Sequence, residues 1–483
     1  MGITLRPYQV ELLNKIRAAY ASGLKSVCAV APTGAGKSLC FAEISKHAGA
    51  KGRSTCIIVH RDTLLRQAAE KLDAFGIPYG IIAAGYMGTT DTIQIASAQS
   101  LVRRLDRYKF DFIIFDEAHL SSANTWKSFT KEWPEAHVLG FTATPVFPSG
   151  RGLDSVFQSL ALGPTIGELV ADGYLCSPVT YGPVKKVDLS SVRTQAGDYD
   201  LADLERVIDT PKITGDAIAE VQKICPGVPT MIFCVSIHHS KDVAATFNAA
   251  GLRAASVDST MPREEIRDKI AALSDGRIQY LASCDLLGVG FDAPSVGCAI
   301  SLRPTMSLIL YIQQAGRALR PLYAPGFDMS TRAGRLAAIA ASSKPFAILA
   351  DHVGNFIRHG LVDDDREWTL EGRKKRAGTG KSTVPIKQCR RCFAVFRPAP
   401  KCPKCGHVDE VDTAIPDVTE GTLAPIDKVA LRRARWREER ACVTMAELVA
   451  LGKKRKYASP RGWAFHRWQA RKHQTAQGES FCG

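Results

Sequence analysis

Ten short apolar runs alternate with helix-length segments over roughly the first three-quarters of the 483-residue chain, and no other feature of the sequence constrains the fold as tightly. The first five are Ser26–Val30, Cys56–Val59, Ile93–Ile95, Phe112–Phe115 and Val138–Phe141. After a proline-flanked break come Met231–Val235, Ala254–Val257, Tyr280–Ala282, Cys298–Ser301 and Phe346–Leu349. Short apolar runs alternating with helix-length spacers suit βαβ units and the buried parallel sheet they build. The expectation is an α/β protein with two tandem parallel-sheet domains.

Directly after the first run lies Ala31-Pro-Thr-Gly-Ala-Gly-Lys-Ser38, followed by a helical stretch from Leu39 to His47. Strand, glycine-rich loop and helix in this order form the context of a phosphate-binding loop, although Ala31 stands where the usual pattern has its first glycine. Thr33, Gly34, Ala35 and Gly36 can wrap backbone N–H groups around phosphates, Lys37 can reach the β and γ phosphates, and Ser38 can hold Mg²⁺. The run Phe112–Phe115 ends in Asp116-Glu-Ala-His119. Adjacent carboxylates at a strand tip suit Mg²⁺ held through water by Asp116 and a general base in Glu117. A phosphate loop 79 residues upstream of this pair points to nucleoside triphosphate hydrolysis.

Together the loop, Asp116–His119 and Phe141-Thr-Ala-Thr-Pro145 resemble motifs I, II and III of the superfamily 2 helicases of DEAH-box type. Arg6-Pro-Tyr-Gln9 resembles the Q motif, Val59–Arg66 motif Ia, Ala96–Leu101 motif Ib and Leu287–Pro294 motif V, and Gln313–Arg320 contains motif VI, all in the family's order. The resemblance spans residues 1 to about 360 and implies two RecA-like domains with ATP between them. It implies that Arg6 and Gln9 contact adenine and that Gly290 and Asp292 belong to the nucleotide site. Gln314, Arg317 and Arg320 are implied to face the nucleotide from the second domain, where a guanidinium delivered on closure stabilises the charge of phosphoryl transfer. Thr142 and Thr144 are implied to couple hydrolysis to domain movement, with His119 at the domain interface. The Leu-Arg-Pro-Tyr-Gln start and the Gly-Phe-Asp-Ala-Pro form of motif V look most like the DNA-acting branch of XPB, phage UvsW and restriction-enzyme motor subunits.

Beyond residue 365 the strand pattern stops. Cys389, Cys392, Cys402 and Cys405 form two C-x₂-C pairs that fit tetrahedral Zn²⁺ in a zinc ribbon, a closed and therefore structural site; a redox dithiol is the alternative. From Lys428 to Lys472 there are 14 Lys or Arg against three Glu, which accounts for most of the net charge of +15. Trp436, Trp463, Phe465 and Trp468 are interleaved with this charge. Basic groups can neutralise phosphates, while the rings either stack on bases or form the core of a small helical domain.

The expected organisation is a first RecA-like domain at 1–180, a second at 181–365, a basic linker at 366–384, a zinc ribbon at 385–412 and a basic, helical nucleic-acid-binding element at 425–475. The most apolar stretch, Ala293–Leu310, is interrupted by Arg303 and two prolines, so no membrane span is expected, and the start of the chain has no secretory core. The expected location is cytoplasmic. The function expected is an ATP-dependent helicase or translocase whose partner is DNA, single-stranded or branched. An RNA helicase, or a zinc protein that clamps nucleic acid under ATP control, stands as the alternative.

Overall fold

The computed structural model describes residues 4–60, 62–86, 88–120, 123–147, 150–183, 187–195, 198–208, 211–284, 293–372, 386–408, 438–439, 441–455, 459–465 and 467–468. The chain divides into two bodies, residues 1–409 and 410–483. Each apolar run becomes a strand, with ends moved by at most two residues. Among the described residues no helix is long and apolar enough to cross a membrane.

The first sheet contains β1 (Ser26–Val30), β2 (Thr55–Val59), β3 (Gly80–Ile82), β4 (Ile93–Ser97), β5 (Phe112–Phe115), β6 (His137–Thr142) and β7 (Ser159–Leu162). Its order is β3-β4-β2-β5-β6-β1-β7, and all of its pairings are parallel. Both β2 and β4 are buried along their whole length, and the one amide among them, Gln94, donates to the Asp91 carbonyl at 2.9 Å. Gly140 on β6 lies beneath Phe157, which occupies the volume a side chain there would need.

The second sheet contains β8 (Pro178–Tyr181) and, past a hairpin of β9 (Thr194–Gln195) and β10 (Asp198–Tyr199), the strands β11 (Thr230–Phe233), β12 (Ala254–Val257), β13 (Tyr280–Ser283), β14 (Cys298–Ser301) and β15 (Ala347–Asp351). Two more strands, β16 (Lys387–Gln388) and β17 (Ala394–Phe396), come from the cysteine module. The order is β12-β13-β11-β14-β15-β8-β17-β16, parallel as far as β8 and antiparallel beyond it. Two sequence-based boundaries move as a result. The division at 180/181 falls inside β8, which pairs with β15, so this strand belongs to the second domain. The cysteine module is no separate bead, because β17 continues the second sheet by pairing with β8.

The segment expected as a linker from 366 also differs in its described part. Trp368 packs against the core, the Leu370 carbonyl accepts from the Asp154 N–H at 3.0 Å, and Gly372 bridges to Arg151. Residues 366–372 are thus a strap that returns to the first domain. The rest of the expected linker lies outside the described residues.

In the second body the helix Met445–Lys454 starts with a Thr444/Glu447 capping box and buries Leu448 and Leu451. Trp463 packs against Gly452 and under the Arg455 guanidinium, which pairs with Glu438 and Glu439. Of the two roles open to the aromatics, Trp463 takes the packing one, while Phe465 is 48% exposed. Trp436 lies outside the described residues.

Gly140→Ala should destabilise the first domain by about 1–3 kcal/mol, because its methyl would stand 2.3 Å from Phe157 Cζ and 2.8 Å from Ala118 Cβ in a close-packed interior. A denaturant titration reads this directly, and an unchanged midpoint would show that the Phe157 ring has room to yield.

Candidate functional site

Three motifs meet because three neighbouring strands run the same way. β5, β6 and β1 are adjacent, so the acidic pair, Thr142 and the glycine-rich loop leave the sheet together at its carboxyl edge, where ligands of open α/β sheets bind. Gly34 (φ 90°) and Gly36 (φ 76°) take left-handed backbone that a side chain resists, and Gly36 caps a helix beginning at Lys37, α2 (Lys37–Ala50). The loop N–H groups and the α2 N-terminus therefore face one point, which suits an anion.

The helix α1 (Pro7–Ala21) braces this loop. Gln9, 1% exposed, donates its amide to the Ala35 carbonyl at 3.0 Å and the Gly36 carbonyl at 3.3 Å, and accepts the Arg6 N–H at 2.9 Å. Both bonds tie the Gln9 amide to the glycine-rich loop. Arg6 donates to the Tyr8 hydroxyl, which itself donates to the Ala35 carbonyl, and the Arg6 guanidinium lies 4.8 Å over the Tyr174 ring. Nothing in the sequence pattern singled out Tyr174.

Glu117 has φ 49°, an uncommon left-handed conformation for a residue with a side chain, and it carries the carboxylate to 3.6 Å from Lys37 Nζ. Burial raises the Glu117 pKa, but Lys37, His119 and Arg317 outweigh it and hold the group below the usual carboxylate range. Asp116 accepts the Glu117 N–H at 3.0 Å, and burial together with the Glu117 charge pushes its pKa up to about 6. Two adjacent buried carboxyls beside one ammonium suit a divalent cation, and Asp116 with the Ser38 hydroxyl offers the oxygen donors such an ion takes.

His119 is 1% exposed, and burial lowers its pKa against the opposing pull of the Glu117 charge. The Thr142 hydroxyl donates to the Thr144 carbonyl at 2.9 Å and accepts the Thr144 N–H, which assigns the hydrogen in the 2.9 Å His119 contact to Nδ1. His119, Thr142 and Thr144 are one buried hydrogen-bonded unit beneath Glu117.

From the second domain the helix Leu308–Ala318 approaches the loop so closely that a side chain at Gly316 would stand 3.0 Å from Thr33 Cβ. Gln313 and Arg317, four residues apart, share this less buried face of the helix, and Arg320, two residues past its end, is half-buried as well. Gln314, named from the sequence for this role, is corrected by the structure: it faces into the second domain beside Asp351, Ser301 and Tyr311. Gln313 was missed, although helical periodicity with Arg317 already carried the signal. Gly290 and Asp292 lie outside the described residues.

The four cysteine sulfurs lie within 4.8 Å of one another, with Cys389 to Cys405 at 3.7 Å and Cys392 to Cys402 at 3.6 Å. Four sulfurs about 2.3 Å from a tetrahedral centre would be about 3.8 Å apart, so the cluster fits the zinc geometry. Each knuckle is turned by a left-handed residue directly after its second cysteine, Phe393 and Gly406. Burial raises the Cys389 thiol pKa, but the N–H groups of Cys392 and Arg391 outweigh it and bring it to about 6, favouring a thiolate.

Residues 2–147 match the family described as Type III restriction enzyme, res subunit, and residues 216–321 match the helicase conserved C-terminal domain. A 51.5 kDa protein of a Lactococcus phage is 31% identical over 380 residues, covering 78% of this chain and 76% of its own. A Saccharomyces cerevisiae protein named as ATP-dependent helicase IRC3 is 28% identical over 342 residues, 65% of this chain and 49% of that one, so the chain spans about half of the yeast protein. The restriction-modification enzyme LlaBIII, solved bound to DNA, has the same fold over 73% of this chain and 28% of its own, with a TM-score of 0.53 at 16% identity. Two RecA-like domains in tandem, matches to both halves of a helicase core, and a relative alike over three-quarters of either chain lead to one conclusion: the protein belongs to the superfamily 2 helicases, which hydrolyse nucleoside triphosphates.

Proposed function

We propose that this helicase is of the DEAH-box type and is an ATP- and Mg²⁺-dependent DNA helicase or translocase acting in replication, repair or recombination. The observation that carries the chemistry is the 3.6 Å approach of Lys37 to Glu117 beside the glycine-rich loop. Loop N–H groups and Lys37 hold the phosphates, and Asp116 and Ser38 would hold the metal. Mg²⁺, when bound, offsets phosphate charge and orients the γ-phosphate. Glu117, kept ionised by its three cationic or polar neighbours, takes the proton of the attacking water. Arg317 and Arg320 add positive charge from the second domain, and Gln313 belongs with them. Hydrolysis changes how tightly this face is held, and the His119, Thr142 and Thr144 unit passes the change on.

The choice of DNA is supported by the restriction-enzyme family matched by the first domain and by the DNA-bound enzyme of the same fold. Single-stranded or branched DNA is the substrate expected, and the basic second body adds phosphate contacts. Zn²⁺ held by Cys389, Cys392, Cys402 and Cys405 is structural, since four thiolates leave no open position.

Glu117→Gln should lower turnover by about 10²-fold or more while ATP still binds, whereas Lys37→Ala should weaken ATP binding itself. Normal hydrolysis in Glu117→Gln would transfer the base to another group. Metal analysis of protein purified without chelator should find one zinc per chain. Cys402→Ser should lose it and speed amide exchange along β16, β17 and their neighbour β8, and protein free of zinc would remove the metal assignment. An ATPase panel with single-stranded, duplex and forked DNA and with RNA tests the substrate: stronger stimulation by RNA makes the protein an RNA helicase, and binding without ATP-driven strand movement makes it a clamp. Truncation after Ala424 should weaken DNA binding and flatten its salt dependence, by a slope of about 0.7 per lost contact on single strands, with hydrolysis kept.

A further inference from the structure

Lys344 is 3% exposed, and among the described residues it makes no ion pair. Its ammonium donates to two backbone carbonyls instead, Pro294 at 3.0 Å and Arg320 at 2.5 Å. These carbonyls close motifs V and VI. A third element joins the same knot: Cys176 N–H donates to the Leu319 carbonyl at 2.8 Å, and the Cys176 thiol lies 3.7 Å from the Lys344 carbonyl and 3.8 Å from that of Arg320. An ammonium buried without a counter-ion is unfavourable, and an apolar residue would fill the space without that penalty. What the apolar residue lacks is several donors converging on backbone oxygens from separate loops.

We propose that Lys344 is the positioning residue of the motif VI arginine: its ammonium fixes the Arg320 backbone against the end of motif V, so that the side chain is presented beside Gly34 of the phosphate loop. The inference rests on the reading of Arg320 as a nucleotide-facing residue. Arg320 Cγ lies 4.0 Å from the position a Gly34 side chain would take, so a small displacement of its backbone moves the guanidinium relative to the phosphates.

The clamp carries its own pH signature. Burial lowers the Lys344 pKa to about 8, an effect the Cys176 thiol partly opposes and the Arg320 charge reinforces. These are the charged or titratable groups that face it, and Cys176 is itself held protonated by burial. Above about pH 8 the ammonium loses its charge and the clamp weakens. Folding stability moves the other way. Between about pH 8 and the ordinary lysine range the unfolded chain binds the proton that the folded chain has released, so rising pH favours the folded state there. A fall in turnover across this window is therefore not a loss of fold caused by Lys344.

The test measures kcat and KM for ATP from pH 7.5 to 9.5 in the full chain, in Lys344→Met, Lys344→Arg and Arg320→Ala, with thermal melting at each pH. The native protein should lose kcat with a midpoint near pH 8 while its melting temperature holds. Lys344→Met should have kcat lowered about tenfold at pH 7.5, KM changed by less than about twofold, and no alkaline fall, since the group that titrates is gone. Lys344→Arg, if it restores turnover, should restore it without the alkaline fall. Native kcat and an unchanged alkaline fall in Lys344→Met would overturn the proposal. Turnover lost in Arg320→Ala but kept in Lys344→Met refutes the clamp alone, whereas full turnover in Arg320→Ala removes the arginine's role and the proposal with it. Should Lys344→Met fail to fold, the native profile decides, and a flat kcat across the range rejects the clamp.

Discussion

Parallel pairing of β5, β6 and β1 is the constraint on which the rest of the molecule depends. Parallel strands end on the same edge, so three sequence segments far apart in the chain, ending in the acidic pair, in Thr142 and in the glycine-rich loop, are delivered to one crevice by hydrogen-bond register alone. An antiparallel arrangement of the same strands would send the middle motif to the opposite edge. The close packing beneath the crevice then keeps the register, with Gly140 leaving the space that Phe157 fills.

The crevice is also where the fold holds charges that an interior resists. Asp116 and Glu117 are neighbours in the chain and cannot separate, so burial and mutual repulsion act on both. Lys37 lies 3.6 Å from Glu117, which splits the pair into one carboxyl held low and one pushed up. This asymmetry arises from a left-handed turn at Glu117. Burial lowers the His119 pKa beneath Glu117, and a 2.9 Å hydrogen bond joins its ring to Thr142.

Most of the strands that the sequence revealed are buried along their length, because a continuous run such as Cys56–Val59 has few other uses in a chain with helical spacers, although the edge strand β12 is only half-buried. β3, with three residues, β7, which is partly covered, and β8, which opens with Pro178, were not legible: each is short, and proline argues against a strand unless it stands first, as it does here. The phosphate loop, the acidic pair and the thiol cluster were legible because their chemistry needs fixed residue types at fixed local spacing. The error at Gln314 had a different cause, since a run of two glutamines offers two equal candidates until helical phase with Arg317 is applied. Tyr174 and Lys344 were beyond reach, as both act through backbone or rings brought close by tertiary packing.

The strap at 366–372 has a mechanical consequence. The polypeptide passes between the two sheets near Cys176, on its way into β8, and passes back near Trp368, where Leu370 and Gly372 are fastened to the first domain. One such tether would let the domains swing in any direction and drift apart. The fastening at Leu370 and Gly372 adds to the crossing near Cys176, and the chain then returns to the second sheet to form β16 and β17. The strap therefore limits how far the two domains can separate while the Asp154 N–H keeps its bond to the Leu370 carbonyl.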